Sequence, residues 1–483
     1  MRHCNEQAFR SQFEFFKRQF LQDGGLPFTD VLSRETVEQA LRTVEFAWNE
    51  RIYTPLVTLW IFLGQVLRAD HSCRNAVARL IVHRVSQGFA ACSSKTGAYC
   101  QARQRLPEQF FSTITCIVGR KLEDRANKQW LWKGRHVYMF DGTTTLMPGT
   151  ASNQDAYPQS WNQKPGAGLP LARVGAIFSL ACGTILDLKI AKYAGKGQGE
   201  VTLLHEMSDL FSMGDVLLAD ALMCNWKVLY SFKQRGVDVV TRINKAKRKA
   251  DFRCGKRLGK EDHLVQWKKP HIRGAGRAAQ LAMPRFITVR EARVRIDQPG
   301  FRSRRMVIVT TLLDPNEYSK EDLANLYRAR WNNELDLRTI KSVMQMDCLR
   351  CKTPELVRKE IWTHALAYNL IRTIMAQAAS RHKIESRSIS FKGALQTLEA
   401  FQPMIAMRGQ FHSTARQQFY EQLSNGYRST SSRGSPDRFE PRRHKRRHQH
   451  YVPLAVPRQE AKLQILKGLA KNEATFVDAT AWN

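Results

Sequence analysis

Four residues near position 330 have types and spacing suited to one chemistry. Tyr327, Arg330, Glu334 and Lys341 follow the pattern Y-x2-R-x3-E-x6-K. At roughly 100° per residue on a helix they fall within about a 60° arc of one face. Leu326, Ala329, Leu337, Ile340, Val343 and Met344 lie mostly opposite, with Asp336 the one misfit among them. One face is thus for packing and the other for a carboxylate flanked by cations and a phenol. At average composition a chance match somewhere in the chain is on the order of one in several hundred. Two further acids close apolar runs: Asp141 in Val-Tyr-Met-Phe-Asp-Gly-Thr and Asp220 in Val-Leu-Leu-Ala-Asp. Either alone reads as a cap or turn residue. If the two runs are neighbouring strands, both carboxylates emerge at one sheet edge, close enough to share divalent cations.

The pattern alone gives carboxylates able to share divalent cations beside a cationic helix face; phosphodiester transfer is the chemistry implied by the family resemblance given below. A water or 3′-hydroxyl attacks in line with the leaving oxygen, and both oxygens carry developing charge. Two Mg²⁺ ions on oxygen ligands, with Mn²⁺ as a substitute, stabilise both at once. Asp141 would bridge the ions, with Asp220 and Glu334 flanking. Arg330 and Lys341 would neutralise phosphates beside the cut, and Tyr327 would hydrogen-bond or stack on DNA. Lys196 and His205, near Glu200, are weaker candidates and read more readily as surface residues.

These residues resemble the IS-four family of DDE transposases, whose hallmark is the same Y-R-E-K signature. The resemblance runs from the Pro55-to-Cys73 region through Asp-Gly-Thr at 141–143, Gly199-Glu200 and Leu217 to Asp220, then along the signature helix to about Met375. It implies a ribonuclease-H-like core with a β-rich insertion before the third acid, and catalytic roles for Asp141, Asp220 and Glu334. It also implies binding of double-stranded DNA, both element-end inverted repeats and target, with a homodimer in the end-paired complex. There are two departures. Ala221 follows Asp220 where many members have Arg, and no Trp lies between Gln298 and Glu321 to hold a flipped base; Trp267 or Phe301 are the aromatic substitutes. Two alternatives stay open: a related metal-dependent DNA nuclease, and a catalytically silent DNA-binding derivative, against which the intact triad argues.

The elements that must position these residues follow from pattern. The 483 residues and 43% hydrophobic content are enough for several cores. To about residue 125, apolar and polar residues alternate at helical spacing. Ser72 starts one helix and Tyr99 to Leu106 forms another, with Gly88 between them. That pair fits either an ordinary helical bundle, the favoured reading, or a helix-turn-helix presenting Gln101, Arg103 and Arg105 to base edges. Residues 126–243 read as the first part of the catalytic core: strands at His136–Phe140, Val174–Leu180 and Thr184–Ala191, a helix at Glu200–Phe211 and a buried strand at Asp215–Ala219. That order suits a mixed α/β sheet with helices on its faces. Residues 244–313 read as the basic β-rich insertion, 314–384 as the second part of the core and 385–483 as a basic C-terminal region.

Charge selects the partner. The formal net charge is +33, a field relieved by a polyanion. Between Arg242 and Arg305 there are twenty Lys or Arg against five Asp or Glu, so Arg242, Arg293 and Arg295 are expected to face DNA. The run Arg442 to His450 is expected to bind phosphates without sequence preference. Membranes are disfavoured, because the longest apolar run, Tyr53 to Leu67, is shorter than a bilayer span and contains Pro55, Gly64 and Gln65. The absence of an apolar signal core after Met1 points to a cytoplasmic, nucleoid-associated bacterial protein. Ten scattered cysteines read as reduced thiols. Cys348 and Cys351 alone do not complete a four-ligand zinc site.

Overall fold

The structure is a computed structural model. It describes residues 6–19, 31–46, 48, 51–272, 276–296, 304–407, 418, 421–422, 424–426 and 456–479. Among the described residues six α-helices come first: α1 (Glu6–Gln19), α2 (Arg34–Thr43), α3 (Pro55–Val66), α4 (Cys73–Ser86), α5 (Gly97–Arg105) and α6 (Glu108–Asp124). Their starts are chemically marked. The Thr54 hydroxyl accepts from Val57 N at 3.3 Å with Pro55 inside the first turn of α3, and Ser72 accepts from Asn75 N at 3.1 Å to start α4.

The centre is a mixed sheet. In chain order it contains β1 (Val137–Leu146), α7 (Ala151–Ala156), β2 (Leu171–Ser179), β3 (Ile185–Lys192), α8 (Glu200–Glu206), β4 (Val216–Leu218), α9 (Trp226–Gln234) and β5 (Asp238–Arg242). The spatial order is β3-β2-β1-β4-β5; β1 to β3 form an antiparallel meander, and β4 and β5 run parallel to β1. This is the ribonuclease-H-like arrangement expected from the sequence. Alternation along each strand divides the core. Val137, Met139, Val174, Ala176, Val216 and Leu218 point to one face, and Tyr138, Phe140, Ile177, Leu217 and Ala219 to the other.

The basic segment extends the same sheet and adds no separate layer. Its elements are β6 (Lys256–Gly259), β7 (Asp262–Lys268), α10 (Arg277–Ala282), β8 (Phe286–Ile296) and β9 (Arg304–Thr310), and β9 pairs antiparallel with β5 to give nine strands. Arg290 anchors it: the buried guanidinium forks onto Asp262 at 2.6 and 2.9 Å and donates to Tyr318 O at 2.6 Å. The chain then enters α11 (Lys320–Ala329) through a capping box, with Ser319 Oγ accepting from Asp322 N at 3.0 Å and Asp322 accepting from Ser319 N at 2.9 Å. α12 (Trp331–Arg338), α13 (Pro354–His382), α14 (Phe391–Met407) and α15 (Arg458–Ala479) follow. The 29-residue α13 is buried along almost its whole length and joins α6 and the first sheet face in one core. Each fully buried aliphatic or aromatic side chain there is worth about 1.5–3 kcal/mol.

The expected single helix from Tyr327 to Lys341 is interrupted twice. Arg330 separates α11 from α12, its N–H bonding back three residues to Tyr327 O at 3.2 Å; residues 339–343 are π-helical, with Met344 N donating to Thr339 O at 3.1 Å. Leu326, Leu337, Ile340 and Met344 are buried as their spacing requires. The misfit Asp336 is also buried. It accepts from Arg372 of α13 and from Arg387 Nη1 at 3.0 Å, so a paired charge stands where the pattern wanted an apolar residue.

Candidate active site

The site begins with strand register. β1 and β4 pair in parallel as Val137↔Val216, Tyr138↔Leu217 and Met139↔Leu218. Two residues beyond the last pair on each strand stand Asp141 and Asp220, level with each other and on the face covered by α11 and α12. Asp220 ends its strand as expected: Oδ1 accepts from Leu222 N at 2.9 Å in an Asx turn, and the backbone carbonyl accepts from Thr241 Oγ1 at 2.5 Å. Asp141 does not end its strand. β1 continues to Leu146 because β2 pairs along its other edge, with Asp141 opposite Ala176.

Asp141 is half-buried and accepts from its neighbour Gly142 N at 2.8 Å. Its carboxyl is pushed up to about 6. Burial is the main cause, the Gly142 amide and the Arg330 guanidinium oppose it, and the charges of Asp220 and Glu200 add to it. Two carboxylates of like charge, partly out of water, call for a cation.

Arg330 answers part of that need. Its Nη2 donates to Glu334 Oε1 at 2.6 Å and its guanidinium lies 5.8 Å from the Tyr327 ring centroid. Glu334, with 41% of its side chain exposed, is thus held by Arg330. Among the described residues no three acid, His or Cys side chains converge as a ready metal cage. The donors still fit Mg²⁺: all are carboxylate oxygens, two share one register level, and the third is one ion-pair exchange away. Tyr327, expected to meet DNA, is 6% exposed. Burial raises its phenol, with Arg330 and Arg242 opposing and Asp220 adding, so it packs beneath the cluster. Lys341 lies half-buried in the π-helical turn, and its carbonyl accepts from Asp347 N at 3.4 Å.

Glu200 is a neighbour that spacing did not single out. It pairs with Arg173 at 2.7 Å, and a Cβ at Gly142 would come within 2.6 Å of its carboxyl. The glycine after Asp141 is the signal that could have found it, since only a residue without a side chain lets Glu200 lie against this strand. His205 packs against Phe232 with ring centroids 6.4 Å apart, and burial lowers its pKa; Lys196 is exposed.

The outlying candidates divide. Gln101 and Arg105 are exposed on α5, but Arg103 is 4% exposed, its guanidinium among the sulfurs of Cys73 (3.2 Å), Cys100 (3.5 Å) and Cys351 (3.8 Å) and over the rings of Tyr99 and Phe62. It holds α5 to the core and cannot reach base edges. Residues 87–96 separate α4 from α5, longer than a helix-turn-helix connection, so the helical bundle is the outcome. Arg295 is exposed; Arg293 pairs with Glu261 and lies 4.9 Å from the Phe252 ring; Arg242 is half-buried at the end of β5. Trp267 is sealed in, donating to Glu291 Oε1 at 2.8 Å under Arg248, so it cannot reach a base. Phe301 and the Arg442-to-His450 run lie outside the described residues. Cys351 is buried and Cys348 exposed, and neither belongs to a metal-holding group among the described residues. Among those residues no helix is long and apolar enough to cross a membrane.

The chain is similar to several known proteins. The Transposase DDE domain family matches residues 132–370, which span both aspartates and the Y-R-E-K segment. The transposase InsG of insertion sequence element IS4 from Escherichia coli (strain K12) is 26% identical over 363 residues, 73% of this chain and 77% of that protein. The transposase for insertion sequence element IS421 of Escherichia coli is 42% identical over 69 residues, 14% of this chain and 19% of that protein. Among solved structures, a cryo-EM structure of piggyBac transposase in a synaptic complex with hairpin DNA aligns loosely, with TM-score 0.44 and 9% identity over 86% of this chain and 85% of that one.

Proposed function

The chain belongs to the DDE transposases of the IS4 family, and from that premise we propose that it binds the terminal inverted repeats of an insertion sequence, cleaves the DNA ends and joins them to target DNA. The observation that carries the residue assignment is the register of β1 and β4, which sets Asp141 and Asp220 side by side under the helix pair bearing Arg330 and Glu334. Asp141, Asp220 and Glu334 would hold Mg²⁺, two ions on this reading, which when bound polarise the scissile phosphate and stabilise the attacking and leaving oxygens.

The chain's own residues prepare that chemistry. Asp141 and Asp220 are fixed by Gly142 N–H and by the Leu222 turn, so their oxygens are pre-aimed and need little reorganisation. Arg330 is the cation nearest both Asp141 and Glu334. When a phosphate enters, the guanidinium has a second anion to fork onto, which frees Glu334 to turn toward the aspartates. Tyr327 supports Arg330 from below. Lys341, at the far end of the same segment, is placed for the next phosphates along the strand. The net charge of +33 supplies long-range attraction to DNA. A dimer pairing two ends in one complex is part of this reading.

The test is cleavage of a DNA fragment carrying the inverted repeats that flank the coding region. Asp141→Ala, Asp220→Ala and Glu334→Ala should each abolish nicking while leaving DNA affinity nearly intact. Near-wild-type nicking by any one of them removes that residue from the triad.

A further inference from the structure

Glu334 rides on a segment with little of its own to hold it. α12 is eight residues long, begins at the Arg330 break without a side-chain cap and runs into the π-helical turn at 339–343. Of its residues Asn333, Asp336 and Leu337 are buried, so one apolar side chain anchors it, and apolar burial is not directional. The Asn333 carboxamide has no hydrogen-bond partner among the described residues. Directional contact at the buried side of α12 is left to Asp336.

Asp336 is gripped from two elements. Arg372 of α13 donates through Nη2 to Oδ1, and Arg387 donates through Nη1 to Oδ2 at 3.0 Å. Both arginines are fixed in turn. Arg372 Nε donates to the Tyr368 hydroxyl at 2.8 Å, and Gly183 lies so close to that guanidinium that a Cβ there would come within 2.9 Å of it. Arg387 donates to the carbonyls of Ser179 and Leu180, where β2 ends, and Leu180 N donates to Val137 O at 2.9 Å. A line of hydrogen bonds therefore runs from α12 to the first residue of β1, the strand that carries Asp141.

Asp336 follows Glu334 by two residues, about 200° round the helix. The buried carboxylate thus anchors one side of α12 while the acid of the site projects from the other. A side chain reaches about 5–6 Å from the helix axis. A rotation of about 20° would move the Glu334 carboxylate by about 2 Å, the length of a Mg²⁺–oxygen bond. A buried ion pair adds little to stability, because desolvation offsets its Coulomb attraction. What two arginines on one carboxylate do supply is a fixed direction.

We propose that Asp336 is a positioning residue: gripped by Arg372 and Arg387, it sets the rotation of α12 and so aims Glu334 at Asp141 and Asp220. The proposal rests on the assignment of Glu334 as the third acid. Asp336→Asn would leave two guanidiniums against a neutral amide and risks the fold, so the chief variant is Arg387→Gln, which removes one arm and keeps the other. The protein is bound to a duplex ending in the inverted repeat that flanks the coding region, already cut, and Mn²⁺ binding is read from the electron paramagnetic resonance of the free ion. Arg387→Gln should weaken Mn²⁺ binding about tenfold at unchanged DNA affinity, and Arg387→Lys should regain part of it. In a Glu334→Gln background, Arg387→Gln should weaken Mn²⁺ binding no further, because it acts through that carboxylate. A merely structural tie would lower the melting temperature and leave Mn²⁺ affinity alone. Wild-type Mn²⁺ affinity in Arg387→Gln, or an equal further loss in the Glu334→Gln background, overturns the proposal. If Glu334→Gln itself binds Mn²⁺ like the wild type, the third-acid assignment fails and the proposal falls with it, a result distinct from the other two.

Discussion

Replacing Asp141 by Asn should stabilise the metal-free protein, and the effect should depend on pH. Its carboxyl rises from 3.8 to about 6 on folding, through burial first and the charges of Asp220 and Glu200 besides. A raised carboxyl favours the protonated form in the folded state. Ionising it therefore costs nothing below about pH 4, a growing amount between 4 and 6, and the full difference above 6. At about 1.4 kcal/mol per pH unit, the gap amounts to about 3 kcal/mol. The amide of Asn cannot ionise, so Asp141→Asn should melt about 3–6 °C higher than the wild type at pH 7.5 in EDTA, and by only about a third of that difference at pH 4.5. Mg²⁺ should close the gap by stabilising only the wild type. Calorimetry at the two pH values, with EDTA or Mg²⁺, measures all four arms. A variant that melts lower than the wild type at pH 7.5, or a difference independent of pH, would refute the view that this carboxylate is held at an electrostatic cost for a cation to relieve.

Other consequences are as direct. Lys341→Ala should reduce coordinated cleavage of DNA ends without shifting the Mg²⁺ titration, and Lys341→Arg should keep part of the activity; a strongly raised Mg²⁺ requirement at unchanged DNA affinity would put Lys341 at the metal site instead. Arg295→Gln, at an exposed position on β8, should flatten the slope of log affinity against log salt by about 0.9, the value of one phosphate contact, and an unchanged slope would place that guanidinium away from the DNA. The pKa of His136 is raised by its 2.7 Å bond to buried Glu123, more than burial lowers it. Its contribution is thus complete below the unfolded value near 6.5 and lost as pH rises through the folded one. His136→Gln should flatten the fall in melting temperature above pH 6.5, and an unchanged profile would show the pair contributes nothing.

The sequence made the strands and the two aspartates legible because burial on a sheet imposes a period of two, and each apolar run stopped at an acid. The neighbouring β1 and β4 then followed from fold class. Depth was not legible. Tyr327 and Arg103 carry polar atoms at positions that periodicity assigns to an outer face, yet the first packs under Arg330 and the second is enclosed by sulfurs, one of them on Cys351, 248 residues away. A local pattern cannot register so distant a partner. The break at Arg330 and the π-helical turn at 339–343 were hidden for a related reason: nothing in this segment is a Gly or Pro, and the geometry is set by tertiary bonds such as Asp336 to Arg372 and Arg387. Alternation in the basic segment marks its strands, but their continuity with the core sheet depends on the β5–β9 pairing, which no local signal specifies.

The most direct test is strand joining. Purified protein would be incubated with Mg²⁺, a supercoiled target plasmid and a linear fragment ending in the inverted repeats that flank the coding region. The account predicts fragment covalently joined to the plasmid through its 3′ ends, with the product absent for Asp220→Asn and for wild type in EDTA. Cleaved ends without any joined product would contradict it and leave a nuclease in its place.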